Sequence, residues 1–242
     1  MSGHSKWASI KHKKGALDAK RGKLFSKLIK EITVAVKQGG ADTEANPRLR
    51  TAVLKAKDAN MPSKNIESAV KKASGNDSSE NYEEITYEGY GPEGVAIFIN
   101  CLTDNIKRTV ADIRATLSKH GGNLGENGSV AWQFEKKGII NIEKDQVKNE
   151  DELMEIALEA GAEDVIAQTE GFTVKTDPEQ FYNITGVLKN KNIAMVNAEI
   201  TMDPKNCITL TPDKAEKIEK LINALEDLDD IQSVSSNEEI AE

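Results

Sequence analysis

The 242-residue chain is short of several things, and each shortage excludes a class of protein. It has only two cysteines, Cys101 and Cys207, far apart and in no CxxC pair. That argues against a disulfide framework or a zinc site and suits a reducing compartment. Aromatic residues make up 5% of the chain, so its cores should be mostly aliphatic. No apolar run approaches the roughly 18–20 residues needed to span a bilayer. The N-terminus is charged but has no apolar stretch behind it, so no secretory signal is expected. A cytoplasmic protein with no membrane partner follows. The three histidines, His4, His12 and His120, fall into neither a Ser-His-Asp pattern nor metal-ligand spacing. Catalytic residues, a cofactor, a metal and a small-molecule substrate are therefore not expected.

What the chain does have is charge, unevenly placed. Residues 1–75 carry 17 Lys and Arg against 6 Asp and Glu, a net of +11. Residues 76–242 carry 15 against 34, a net of −19, and together they give the overall −8. A basic N-terminal module is thus joined to an acidic body, which points to a polyanionic partner for the basic part. The candidate contacts are Lys6, Trp7, Lys11, His12, Lys13, Lys14, Lys20, Arg21, Lys23 and Lys27, with Arg48 and Arg50 extending the patch. Lysine and arginine neutralise phosphates and release counterions, giving salt-dependent affinity for nucleic acid, DNA or rRNA and tRNA. Trp7 suits either stacking on an exposed base or anchoring the tail to a core.

The order of elements predicts an α+β fold. Residues 1–14 have no helical period. From Ala16 onward Leu17, Leu24, Leu28, Ile32 and Val36 form one helical stripe, which Gly39-Gly40 ends. Asn46-Pro47 reads as the cap and first residue of a second helix, and Pro62-Ser63 opens a third. The second and third helices could form a helix-turn-helix-like pair, although the residues between them lack a clear turn signal. A polar linker follows at residues 75–80. Residues 139–201 then read βαββαβ, and residues 94–134 joined to 206–235 read βαββαβ again. A helical N-terminal domain (1–77) followed by two ferredoxin-like domains is expected. The outer one covers 80–135 plus 204–238, with the inner one (136–203) inserted at a hairpin.

Other stretches are less informative. The glycine-rich residues 121–128 run from helix to strand, lack the lysine of a phosphate loop and carry Glu126. ATP or GTP use is not expected there; a cap with tight turns or a binding edge is. Tyr87 and Tyr90 sit in a glycine-rich entry loop, to contact RNA or protein or to lie over a sheet edge. The acidic run at residues 226–230 reads as a solvated face. Cys101 and Cys207, on strands expected to pair, read as small buried hydrophobes.

Several motifs also look like a known family. GHSKWASIKHKK (residues 3–14), RGKLFSKLIKEI (21–32), NPRLRTAV (46–53) and NMPSKNIESAVKKA (60–73) closely resemble the YebC family of transcriptional regulators. YEGYGPEGVAI, LTDNIKRT, GGNLGENGSVAWQF, AGAEDV and LEDLDDIQSV continue the match in the same order. The resemblance implies a three-domain protein with a helical first domain and two α/β domains. It also implies a non-enzymatic regulator, described either as DNA-binding and transcriptional or as ribosome-associated. Mitochondrial relatives are translational activators for a cytochrome oxidase subunit, and bacterial ones are linked to relief of stalling at proline-rich sequences. With no targeting extension before Gly3, a bacterial cytoplasmic protein is expected. A protein–protein adaptor that grips an acidic partner is the rival from another class.

Overall fold

The computed structural model describes residues 4–75 and 81–240, with side chains from residue 21 onward. Helix α1 (His4–Gly39) is the longest element. At 1.5 Å per residue it extends about 54 Å. It begins at His4, well before the apolar stripe that sequence periodicity detects. The apolar residues from Leu24 to Val36 give it a packing face, and Leu28, Ile32 and Val36 are buried as expected. Helices α2 (Pro47–Asp58) and α3 (Ser63–Ser74) both pack against that face. Leu49, Ala52, Ala56, Ile66 and Ala69 complete an aliphatic core.

The two glycines after α1 serve different ends. Gly40 has a left-handed φ of 84°, which a Cβ disfavours. Gly39 makes room: a Cβ there would lie 2.7 Å from Asn46 Nδ2. The Asn46 carboxamide donates to the Ala35 and Gly40 carbonyls, and its oxygen accepts the Leu49 amide at 3.1 Å. One side chain therefore closes α1 and caps α2. Between α2 and α3 a turn exists after all. Asn60 takes a left-handed φ of 57°, and the Met61 amide reaches back to the Ala56 carbonyl. Asparagine tolerates that conformation, so it can replace the glycine whose absence hid the turn.

The first sheet has strand order β3-β1-β2-β9, antiparallel throughout. Its strands are β1 (Glu83–Tyr90), β2 (Ala96–Thr103), β3 (Asn123–Leu124) and β9 (Ile231–Ser236). Helices α4 (Ile106–Lys119) and α7 (Pro212–Glu226) cover one face, burying Ile97, Ile99, Ile113, Leu117, Ile218 and Leu221 between them. The order is that of a ferredoxin-like sheet, but the slot expected for residues 207–210 is filled by β1. That strand belongs to the stretch read as a glycine-rich loop. Gly89 lets β3 lie alongside, since a Cβ there would sit 2.7 Å from the Asn123 carbonyl oxygen. Strand β8 (Ile208–Leu210) pairs instead with β10 (Glu238–Ile240), in parallel. Cys101 on β2 is buried, Cys207 lies exposed just before β8, and β2 and β8 do not pair.

The second sheet lies, in sequence, between β3 and β8. It comprises β4 (Phe134–Glu143), β5 (Asp164–Ala167), β6 (Gly171–Thr176) and β7 (Asn197–Pro204), in the order β5-β6-β4-β7. Helices α5 (Glu150–Glu159) and α6 (Phe181–Asn190) supply Leu153, Ala157, Ile184 and Leu188 to its core. This is the ferredoxin-like arrangement expected for the inserted unit. Lys136-Lys137-Gly138, at the start of the inserted unit where a hairpin is expected, form no turn: β4 runs straight through them. Gly138 serves packing: a Cβ would lie 2.6 Å from both Phe181 Cδ2 and Thr176 Cγ2. Gly138→Ala should therefore destabilise the second sheet by about 1–3 kcal/mol, measured as a lower urea midpoint. An unchanged midpoint would show that Phe181 moves aside freely.

Candidate nucleic-acid interface

The C-terminal half of α1 places its lysines three and four apart, so Lys23, Lys27 and Lys30 share one side of the helix. That side faces the end of α7. Lys27 Nζ donates to the Glu226 carbonyl at 2.6 Å, Lys23 Nζ to Asp227 at 2.9 Å, and Lys30 Nζ to Asp229 at 2.9 Å. A helix C-terminus carries unsatisfied carbonyls and partial negative charge, so it attracts cations. The acidic run read as a solvated face is thus a docking surface for the helical domain. Burial pulls the Lys27 ammonium below its ordinary range, and Glu226, Asp227 and Asp229 partly offset this.

Asp230 is the sequence-specific part of the contact. It is only 6% exposed. One carboxylate oxygen accepts Lys30 Nζ at 2.8 Å; the other accepts Arg108 at 2.7 Å and lies 2.9 Å from the Thr109 hydroxyl and 3.2 Å from that of Thr103. Burial alone would raise its pKa, but the bonds from Lys30, Arg108 and Thr109 bring it down to about 2. Arg108, held also by Asp104 at 2.7 Å, is raised well above its usual value. A cavity of about 540 Å³ opens beside this cluster, lined by Lys23, Lys30, Tyr82, Arg108 and Asp227 among others.

The remaining sequence candidates divide. The Arg48 guanidinium donates to both oxygens of Glu31, at 2.9 and 3.1 Å, and to Gln38, and also pairs with Glu84 of β1. Burial opposes its charge, yet the Glu31 and Glu84 carboxylates raise its pKa overall. Arg50 is exposed and donates to the Thr43 and Glu44 carbonyls at 3.3 Å. Arg21 is exposed. The side chains of Lys6, Trp7, Lys11, His12, Lys13, Lys14 and Lys20 lie outside the described residues. Their backbone is part of α1, which places the Cα atoms of Lys6, Lys13, Lys20 and Lys27 in one row, two turns apart. Lys23, Lys27, Arg48 and Arg50 are thereby engaged with the protein itself.

Sequence reasoning missed the second feature. Glu88 of β1, 5% exposed, turns its carboxylate into the loop after β3. It accepts the amides of Gly128 (2.6 Å), Val130 (2.7 Å) and Ala131 (2.7 Å). Burial would raise its pKa, but the three backbone donors hold it below the usual carboxylate range. These are the amides a phosphate would need, and Glu88 already occupies them. Tyr87 is buried in the first sheet's core, while the Tyr90 hydroxyl donates to the Ser129 carbonyl at 3.0 Å. The loop ends in a 3-10 turn, Ala131–Gln133, on which Trp132 is 65% exposed. The signal in sequence was a tryptophan beside four glycines, in a stretch read there as a cap with tight turns or a binding edge.

The description "TACO1/YebC protein N-terminal domain" matches residues 5–76, and "TACO1/YebC second and third domain" matches residues 82–238. This chain belongs to the TACO1/YebC family. A protein of Syntrophus aciditrophicus named probable transcriptional regulatory protein is 55% identical over 241 residues, covering 99% of this chain and 96% of the relative. One of Desulfotalea psychrophila, with the same descriptive name, is 55% identical over 243 residues, covering 100% and 97%. The crystal structure of a conserved hypothetical protein from Aquifex aeolicus has a TM-score of 0.81 at 48% identity, over 93% of each chain.

The relatives' names describe a regulator rather than an enzyme. Among the described residues of this TACO1/YebC chain, no group of three or more His, Cys, Asp or Glu is placed to hold a metal ion. No described helix is long and apolar enough to cross a membrane. Burial pushes the Cys101 thiol up to about 12, which makes it unreactive.

Proposed function

We propose that this TACO1/YebC protein binds nucleic acid through its N-terminal helical domain and regulates gene expression in the cytoplasm without catalysing a reaction. The observation that carries this reading is the segregation of charge: +11 over residues 1–75, most densely along α1, against −19 over the rest. The acidic body repels bulk nucleic acid, so phosphate contact concentrates on the basic domain. Among the described residues, three of the four apolar clusters each lie within one unit and support a division at 1–77, 80–135 with 204–238, and 136–203, while the fourth, around Phe98 and Phe134, packs Met202 of the inner unit against the outer one.

DNA-binding transcriptional regulation is the first form of the proposal. The α2–turn–α3 pair supports it, because α3 exposes Lys64, Asn65, Ser68 and Lys71, with Glu67 beside them, on a helix short enough for a major groove. A ribosome-associated factor binding rRNA or tRNA is the second, favoured by the exposed Trp132, which a duplex cannot use. Reversing charge at Lys11, Lys13 and Lys14 to glutamate should weaken binding at moderate salt by more than about tenfold. It should also flatten the slope of log K against log salt by about two to three. Unchanged binding by fluorescence anisotropy would sink the proposal. Crosslinking in cells with sequencing of bound RNA and DNA separates the two forms.

A further inference from the structure

We infer that Trp132 is a stacking platform for an unpaired nucleobase, so that the ligand of this protein includes single-stranded or looped nucleic acid. The inference rests on the nucleic-acid reading above and adds a second contact point, on the acidic body, where charge alone gives no reason to expect one.

Trp132 is the most exposed large apolar side chain among the described residues. Its exposure does not come from a loose loop. The Gly128, Val130 and Ala131 amides are fixed by Glu88, and the Ser129 amide donates to the Glu126 carbonyl at 3.1 Å. The indole Nε1–H donates to the Ser129 carbonyl at 3.1 Å, the same oxygen that accepts the Tyr90 hydroxyl. The ring's one polar group is therefore satisfied inside the protein. What it offers a partner is a flat π face held in place, with little ordering cost on binding. Flat faces of that kind are what sequence-tolerant single-strand binders present to bases.

The charge beside the ring fits a nucleotide. Lys205, in the turn after β7, donates from Nζ to the Trp132 carbonyl at 3.2 Å and from its backbone amide to the Gln133 carbonyl at 2.8 Å. An ammonium has three donors, so two of those on Lys205 are left for a phosphate next to the stacked base. The nearest acids in sequence are Glu126 and Glu135. Glu135 is paired with Lys137 at 3.1 Å, and Glu126 is exposed in the loop. A base pair inside a duplex has no free face to give the ring, so the platform selects unpaired bases.

The test uses the full chain carrying Trp7→Phe, which leaves Trp132 as its only tryptophan. Fluorescein-labelled oligouridine, its deoxy counterpart and a duplex DNA are titrated while label anisotropy and indole emission are followed together. Single strands should quench Trp132 emission in step with anisotropy, and duplex should not. A preference between ribose and deoxyribose strands would identify RNA or single-stranded DNA as the source. Adding Trp132→Ala should weaken single-strand affinity by about 5- to 100-fold, with Trp132→Phe restoring part of it. If anisotropy reports binding while the indole stays silent and Trp132→Ala binds as before, the platform is overturned and the nucleic-acid reading stands. If neither this chain nor the parent with Trp7 in place binds any probe by anisotropy, both fall.

Discussion

Replacing Asp230 with alanine should destabilise the protein by about 2–3 kcal/mol, because it removes a buried carboxylate that two partly exposed cations and two hydroxyls share. The carboxylate is the one group that Lys30 of α1, Arg108 of α4 and the hydroxyls of Thr103 and Thr109 approach together. Its removal strips hydrogen-bond partners from two elements of the first sheet's unit and from the helical domain at once. The effect should appear in urea unfolding and as faster amide exchange in α1 around Ile32. Adding Lys30→Met to Asp230→Ala should cost less than the sum of the two singles, because both remove the same pair. A variant within about 0.5 kcal/mol of the parent would mean that water reaches the cluster.

The same carboxylate predicts a pH dependence. A folded pKa of about 2, against an ordinary value of 3.8, means the unfolded chain binds the proton more readily. Asp230 therefore contributes stability that is fully present above about pH 4 and is lost as pH falls towards 2. The amount is about 2 kcal/mol. Asp230→Asn should be less stable at neutral pH and should show a correspondingly shallower loss in acid.

Glu88→Ala should cost about 1–3 kcal/mol, since it leaves the buried Val130 amide and the part-exposed Gly128 and Ala131 amides without their acceptor. Its consequence is also local. With the amides of Gly128, Val130 and Ala131 released, the turn that holds Trp132 loses its anchor, and indole emission should shift and broaden in the Trp7→Phe background. Glu88→Gln should fall between, because the amide nitrogen would face N–H donors that need an acceptor. Folded Glu88 has a lowered pKa, so this support too is present above the ordinary carboxylate range and fails as pH drops through the lower folded value. Emission unchanged by either substitution would mean the loop holds its shape without the carboxylate.

Much of this architecture was legible from local patterns. The period of Leu28, Ile32 and Val36, the Asn46-Pro47 start of α2 and the βαββαβ order of residues 139–201 all carry short-range signals that the fold keeps. What escaped was decided by contacts distant in sequence. Gly138 resembles a turn until Phe181 is brought against it. Glu83–Tyr90 resembles a loop because its glycine makes room for a neighbouring strand rather than for a bend. The start of α1 has no apolar period to reveal it. The basic stripe was visible, but its acceptors at Glu226 to Asp230 lie some 200 residues away. Charge composition detects that lysines are present and says nothing of which already have partners.

The lysines of α1 reach main-chain carbonyls at Glu226, Asp227 and Asp229, and every amino acid supplies a carbonyl. The hydrogen bonds of that docking therefore do not depend on which side chains stand at those three positions, while the carboxylates there add the charge that offsets the burial of Lys27. Descendants of this chain could exchange one of those acids for a neutral residue and keep the same hydrogen bonds, provided α7 still ends there and the remaining acids balance Lys27. Lys23, Lys27, Lys30 and Asp230 have no such latitude. The joint is held in heredity most tightly by one acid and three bases, and the acidic run around that acid is constrained in its summed charge more than in its individual side chains.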